Sequence, residues 1–485
     1  MNYSDDSLML HTDLYQINMM ETYFRDGIHE RKAVFELYFR KIPFGNGFAI
    51  FAGLERIIEY LSNLRFTGED ISYLRSEVGY AEDFLHYLKN LSFTGSIYCM
   101  QEGELVFANE PILRVEAPIA EAQILETALL NIVNYQTLIA TKATRMKQVI
   151  GNQVAMEFGT RRAQEMDAAI WGTRAAYIGG FSSTSNVRAG KKFGIPVAGT
   201  HAHALVQAYQ DEYEAFKKYA SSHTECVFLV DTYDTLRSGV PNAIKVADEF
   251  GDKIHFKGIR LDSGDLAYLS KKAREMLDEA GYTNTKIIAS NDLDEYTIMN
   301  LQAQGAKIDI WGIGTKLITG YDQPALGAVY KLVSMEDENG VMRDTIKISG
   351  NPEKISTPGM KRIFRIINKE NHHAEGDYIT LVDEKINMER LKMFHPIHPY
   401  ISKFVTNFEA VELHHPIIID GQIKYTSVPL EEIQQKVKDN LQLLWNEYKR
   451  TLNPEEYPVD LSEACWENKR RNIEEVQNKI RELKR

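Results

Sequence analysis

Cysteine is almost missing from this 485-residue chain: Cys99, Cys226 and Cys465 are widely scattered and odd in number. Such a set fits neither a disulfide framework nor a cysteine-based zinc site, and points to a reducing compartment. Long hydrophobic runs are missing as well. No stretch of about 18 uncharged apolar residues is present to span a bilayer. The opening MNYSDDSLMLHTDLYQ has neither the basic region nor the apolar run of a signal peptide. Positive charge is in short supply, with 56 Lys and Arg against 68 Asp and Glu and a net charge of −12. That balance argues against a general nucleic-acid binder or a polybasic membrane clamp, while a local basic pocket stays compatible with it. A cytoplasmic protein that engages neither nucleic acid nor membrane is expected.

What is present is enough apolar residue for more than one core, 44% of the chain, so two or three domains are expected. Residues 1–150 read as a mixed α+β domain. Thr12-Asp13 caps a helix LYQINMMETYF, a strand covers 33–40, a helix runs from about 51 to 64, short strands occupy 93–117, and a helix fills 121–150. Residues 151–330 then alternate apolar strands with helices. VAMEF (154–158), IPVAGT (195–200), CVFLVDT (226–232), IHFKGIRLDS (254–263), KIIASND (286–292) and IDIWGIGT (308–315) are the strands. This recurrence predicts a parallel sheet, and six units in a row favour a closed β/α barrel over an open sheet. Residues 331–485 read as a strand-rich segment followed by two charged amphipathic helices, about 430–450 and 461–484, packing on the first two domains.

A β/α barrel carries its chemistry where strands run out into the following loops. Those positions hold Phe158 to Arg162, Gly199-Thr200-His201-Ala202-His203, Asp231-Thr232, Arg260 to Asp265, Ser290-Asn291-Asp292 and Gly312 to Thr315. Cations, hydroxyls and small residues converge there, which suits an anion such as phosphate. Ser263-Gly264 and Gly312, Gly314 and Thr315 offer backbone N–H groups and close approach. Arg161 and Arg162 can bind phosphate or carboxylate through two parallel hydrogen bonds. Asp262, Asp265 and Asp292 could order sugar hydroxyls or hold Mg²⁺ through water, although Asp262 could equally cap the next helix, with Asp265 in its first turn.

The pair His201 and His203 is ambiguous by itself. An extended 199–203 would turn both rings to one face, as a metal-dependent amidohydrolase of barrel fold requires. A helix starting after an N-cap at Thr200, and running through Tyr219, would turn them about 200° apart and prevent chelation. Neutral imidazole near a helix start is also the nucleophilic form, and a bound anion is favoured there.

The ordered motifs TDLYQINMMETYF (12–24), FELYFRKIPF (35–44), ATKATRMK (140–147), EFGTRRAQ (157–164), GGFSSTSNV (179–187), GTHAHALVQAY (199–209), LVDTYDT (229–235), RLDSGDLA (260–267), ASND (289–292), WGIGTKLIT (311–319) and NPEKISTPGMKR (351–362) closely resemble the nicotinate phosphoribosyltransferase family. The resemblance implies an α/β fold with an irregular β/α barrel of the type II phosphoribosyltransferase kind, and a homodimer. It implies conversion of nicotinate and phosphoribosyl diphosphate to nicotinate mononucleotide and diphosphate, in NAD salvage. It implies as well that ATP hydrolysis through a phosphohistidine, with Mg²⁺, is coupled to this reaction. The phosphorylated histidine of the family falls on His203. Its nicotinate contacts fall on Tyr15, Thr200 and Arg260, and its phosphoribosyl contact on Thr315. Tyr15 or Phe158 could supply an aromatic face, and Arg161 or Arg260 a guanidinium, for a flat aromatic anion. Arg162, Asp262, Ser263, Gly264, Asn291, Gly312 and Gly314 are the expected companions of Thr315 around the donor's phosphates. The amidohydrolase remains the rival reading. A quinolinate-using relative should need more basic residues, and a non-catalytic scaffold would leave six polar strand ends without purpose.

Overall fold

The computed structural model describes residues 8–351 and 354–483. Residues 1–7, Pro352 and Glu353 of the NPEKISTPGMKR motif, and residues 484–485 lie outside the described residues. Two compact units divide the chain: Met1–Leu138 with Ala325–Arg485, and Ile139–Pro324. The sequence pattern suggested breaks at 150 and 330 and a separate C-terminal segment. Strand pairing accounts for the difference. Lys32–Phe39 lies antiparallel between Leu113–Pro118 and Ala328–Glu336, and His415–Ile419 pairs with Ser96–Cys99. One seven-stranded sheet therefore draws on both ends of the chain. A second, six-stranded sheet in this unit is made only of later strands, from Lys361–Asn368 to Val459–Leu461. The Lys361 ammonium, nearly fully buried, lies 2.9 Å from the Glu36 carboxylate and ties the two ends of the chain electrostatically.

The unit Ile139–Pro324 is a mixed α/β layer structure. Its strands are β1 (Val154–Glu157), β2 (Ser183–Thr184), β3 (Glu225–Leu229), β4 (His255–Leu261), β5 (Lys286–Ala289) and β6 (Ile310–Ile313). All neighbours are parallel, in the order β2-β1-β6-β5-β4-β3. The first strand pairs with the last, so the row is cyclic in sequence order and broken once, between β2 and β3. The strand expected at 195–200 is absent as a ladder. A single bridge joins Val197 to Thr184, with the Ala198 N–H donating to the Thr184 carbonyl at 2.9 Å. On the far side the Leu229 N–H donates to His201 Nε2 at 3.2 Å. An irregular segment and one imidazole span the gap. Pro196 cannot donate to a ladder, which contributes to the irregularity.

The helices are α1 (Glu165–Ile178), α2 (Val187–Phe193), α3 (His203–Tyr209), α4 (Glu212–Ser222), α5 (Val240–Phe250), α6 (Leu266–Glu279), α7 (Glu295–Ala303) and α8 (Thr315–Ile318). Two expectations need correction. The long helix through Tyr219 is broken: Gln210 takes a left-handed φ of 57°, and Asp211 starts α4 by accepting the Glu214 N–H. Thr200 is not the cap of α3; Ala202 holds that position, because the Thr200 hydroxyl is engaged by Arg260. Arg161 and Arg162 occupy a single 3-10 turn, Thr160–Arg162, ahead of α1.

One buried charge cluster anchors α7. Glu295 is fully buried and meets Lys142 at 3.0 Å and the Arg145 guanidinium, both from the helix Glu126–Ile150. Removing one member of such a cluster leaves buried charge uncompensated. Glu295→Gln is expected to lower unfolding free energy by about 3 kcal/mol, since Lys142 keeps Asp322 at 2.7 Å. A denaturant titration that finds no shift in midpoint would refute this anchoring.

Candidate active site

Arg260, near the end of β4, is held by three hydrogen bonds. Its Nε donates to Ser290 at 2.9 Å, Nη1 to the Thr200 hydroxyl at 3.2 Å and Nη2 to Asp262 at 2.7 Å. A guanidinium has five N–H donors, so two remain for a ligand. The guanidinium carbon lies 5.7 Å from the centre of the Phe158 ring. An aromatic face thus stands beside a cationic fork that cannot swing away, a fit for a planar anion.

The Phe158 ring is held by what surrounds it. Its N–H donates to the Ile313 carbonyl at 2.7 Å. A Cβ at Gly312 would come within 2.7 Å of the ring, and one at Gly314 within 2.9 Å of the Phe158 carbonyl. Glycine in β6 and its loop is therefore needed for close approach, quite apart from any phosphate. The preceding Glu157 is buried and accepts hydrogen bonds from the Gly159 N–H, Thr173 at 2.9 Å and Thr184 at 2.6 Å. Burial pushes its carboxyl above the ordinary range despite those donors.

Asp262 connects the fork to the histidine. Burial opposes its ionisation, but the hydrogen bond from Ser290 and the charge of Arg260 outweigh it and hold the carboxyl below its ordinary range. Its second oxygen is 3.9 Å from His203 Nε2, while His203 Nδ1 is 3.1 Å from the Thr232 hydroxyl. Asp231 shapes the loop from behind. It accepts the Asp262 N–H at 2.8 Å and the Ser263 hydroxyl at 2.6 Å. The cap of α6 is Asp265, which accepts the Tyr268 N–H; Asp262 is left to the site.

His201 and His203 part company. His201 is buried, its ring 5.1 Å from that of Tyr219, and its Nε2 lone pair is used by the Leu229 N–H. A lone pair already committed to a backbone donor cannot also coordinate a metal shared with His203, which disfavours the amidohydrolase reading.

The structure thus joins Phe158, Thr200, His203, Arg260, Asp262 and Ser263 in one network, with Asp231, Thr232 and Ser290. The strand-end rule reaches those last three residues, but their local motifs reveal no role. Arg161, Arg162, Asn291 and Thr315 sit on neighbouring strand ends without bonding to this network among the described residues; Arg161, Arg162 and Asn291 are exposed. Asn291 and Asp292 have φ of 94° and 40°, a left-handed pair that is costly without glycine and concentrates at functional sites. Gly264 takes φ 77° in the β4 loop. Within α8, Lys316 pairs at 2.6 Å with Asp294, the cap of α7. Tyr15 belongs to the other unit, on the helix Leu14–Asp26, with half of its surface exposed.

Burial lowers the His201 pKa from 6.5 to about 4. The unfolded chain therefore takes up this proton near pH 6.5 and the folded chain only near pH 4, so stability falls as pH drops through that window and levels off below it. The loss should amount to about 3 kcal/mol. Unfolding free energies measured from pH 7 to 4 should show this slope, and His201→Asn should flatten it. An equal slope in the variant would discard the assignment.

The likeness to known proteins follows the same architecture. The profile of the nicotinate phosphoribosyltransferase (NAPRTase) family matches residues 154–362, with the family's N-terminal domain matching 10–134 and its C-terminal domain 360–469. A nicotinate phosphoribosyltransferase of Bacillus subtilis (strain 168) is 72% identical over 481 residues, covering 99% of this chain and 98% of that protein. One from Dictyostelium discoideum is 38% identical, covering 94% of this chain and 86% of the relative. The crystal structure of human nicotinic acid phosphoribosyltransferase superposes with a TM-score of 0.84 at 28% identity, over 95% of this chain and 99% of that one. On these matches, which span nearly its whole length, the chain belongs to the nicotinate phosphoribosyltransferase family and is an enzyme of that type.

Proposed function

We propose that the protein joins nicotinate to phosphoribosyl diphosphate, yielding nicotinate mononucleotide and diphosphate for NAD synthesis, with ATP hydrolysis coupled through phosphorylated His203. The observation that carries this reading is the pinned Arg260 beside Phe158, two N–H donors still free. The nicotinate carboxylate accepts from those donors while the ring packs on Phe158. Residues 199–206 contain no acidic side chain to receive an amide, which favours the acid over nicotinamide.

The reaction makes one bond and breaks one. The pyridine nitrogen attacks the anomeric carbon as the bond to the diphosphate oxygen breaks. The barrier falls through positioning and through charge placed around an oxocarbenium-like sugar. Arg161, Arg162, Ser263, Gly264, Asn291, Gly312, Gly314 and Thr315 are the residues proposed to receive the donor's phosphates, with Asp262 toward its hydroxyls. Tyr15 is proposed as a further ring contact.

Mg²⁺ fits the donor set. One carboxylate oxygen of Asp231 is buried with no partner among the described residues, an acceptor suited to a metal-bound water. Asp231 and Asp262 would hold the hydrated ion, whose charge would offset that of the diphosphate. For ATP, a Thr232 hydroxyl that accepts His203 Nδ1–H leaves the Nε2 lone pair free as a nucleophile toward phosphorus. The cyclic strand order with a single break supports an irregular β/α barrel of the type II phosphoribosyltransferase kind. A homodimer and a cytoplasmic location complete the proposal by family likeness.

Conversion of labelled nicotinate by purified protein with Mg²⁺ and phosphoribosyl diphosphate, with and without ATP, tests it. Product that rises with ATP is expected. His203→Ala should lose ATP hydrolysis and ATP stimulation yet keep basal transfer; intact coupling would remove the phosphohistidine. Arg260→Ala should raise the nicotinate KM far more than that of the phosphoribosyl donor, and equal effects would mean the carboxylate anchor lies elsewhere.

A further inference from the structure

Beneath Arg260 the parallel layer is hollow. A cavity of about 890 Å³ starts at Phe158, Gly199 and Thr200 and runs to the opposite, N-terminal ends of the strands, at Glu225, His255 and Lys286. In a filled barrel the mid-strand inward side chains interlock and are fully buried. Here Met156, Val227 and Ile310 retain exposure in mid-layer, and Val197 is 52% exposed. The break between β2 and β3 explains this, since no regular strand supplies side chains to that side of the interior. Such a volume is that of a site for a drug-sized ligand, well beyond one six-membered ring with a carboxylate.

The walls define what the cavity would take. Met156, Val197, Val227, Ile288 and Ile310 make its middle apolar. The cations at the far rim are already matched: Lys257 and His255 both meet Glu225, and Lys286 lies 3.6 Å from Asp309. A second anion finds no free cationic anchor in those pairs. An apolar chain finds a continuous wall. From Arg260 down to His255 the strand descends roughly 16 Å at about 3.3 Å per residue.

The orientation of the ring follows from the reaction proposed above, on which this inference rests. The ring nitrogen must face the anomeric carbon, and the donor's phosphates belong at the strand C-terminal ends. The edge opposite the nitrogen, carbons 4 and 5, then faces down the hollow. We infer that the hollow is a specificity channel, and that the enzyme accepts pyridine-3-carboxylates bearing an unbranched apolar substituent at carbon 5. The carboxylate stays on Arg260, the nitrogen stays toward the donor, and the chain packs along Val227 and Ile310.

The test compares turnover of nicotinate with that of its 5-methyl, 5-propyl and 5-butyl derivatives, alongside calorimetric binding of each acid. In the wild-type protein KM is expected to fall with chain length, the butyl acid reaching about a third of the nicotinate value or less. Val227→Trp, which plugs the channel without touching the anchor, should raise the butyl KM about tenfold and leave the nicotinate KM within about threefold. Retained nicotinate turnover certifies that the variant folds; Ile310→Phe serves if it does not, and the wild-type series decides without any variant. Nicotinate turnover with a butyl acid that neither reacts nor binds, or equal effects of the plug on both acids, would overturn the channel alone. No nicotinate turnover would instead overturn the proposed reaction, and the channel assignment with it.

Discussion

Much of the unit Ile139–Pro324 is arranged around the guanidinium of Arg260. Three separate stretches of chain meet on it: Thr200 from the segment that spans the sheet's gap, Asp262 from the loop after β4, and Ser290 from the end of β5. Partial burial of an ion pair is costly unless its remaining donors and acceptors are satisfied. Ser290 meets that need by accepting from Arg260 and donating to Asp262. Asp262 stands 3.9 Å from His203, whose ring is held by Thr232, and Asp231 holds the backbone of the same loop. The cationic fork and the His203 imidazole therefore face one carboxylate. Ser290 and Thr200 also hold the fork, and Thr232 holds the imidazole.

The aromatic wall of the site depends on a different constraint, closeness. Phe158 can lie against β6 only because two glycines there lack a Cβ, and its own loop is held by the buried Glu157. Glu157 has hydroxyl and backbone donors but no cation among the partners that bond it. An unfavourable burial is tolerated where three donors converge, which is how a rigid wall is made from a loop.

Part of this was legible from residue order alone. Apolar strands ending in polar clusters identified the sheet and nearly every residue of the Arg260 network, because strand ends in a parallel layer leave the core at a common face. What stayed hidden has specific causes. Thr200 reads as a helix cap, yet its hydroxyl serves a guanidinium sixty residues away. The break at Gln210 carries no glycine to announce it. The joining of both chain ends in one sheet rests on pairings such as Lys32–Phe39 with Ala328–Glu336, which no local pattern encodes. Asp231 acts on backbone N–H and a hydroxyl, a role any acceptor at a strand end could have filled or left empty.

The gap between β2 and β3 is best understood from the demands placed on residues 200, 201 and 203. Thr200 and His203 must both face the Arg260–Asp262 network, while His201 must turn to the edge of β3. In a strand, residues 200 and 203 point to opposite faces, and 201 shares a face with 203. In a helix, 200 and 203 could share a face, but the backbone would be saturated internally and could not bridge to Thr184. Neither regular form satisfies all three residues. Only an irregular segment does, pinned on one side by the Val197 bridge and on the other by an imidazole kept neutral by burial. The hollow interior follows from the same choice, because a segment shaped to serve the site cannot also fill the layer beneath it.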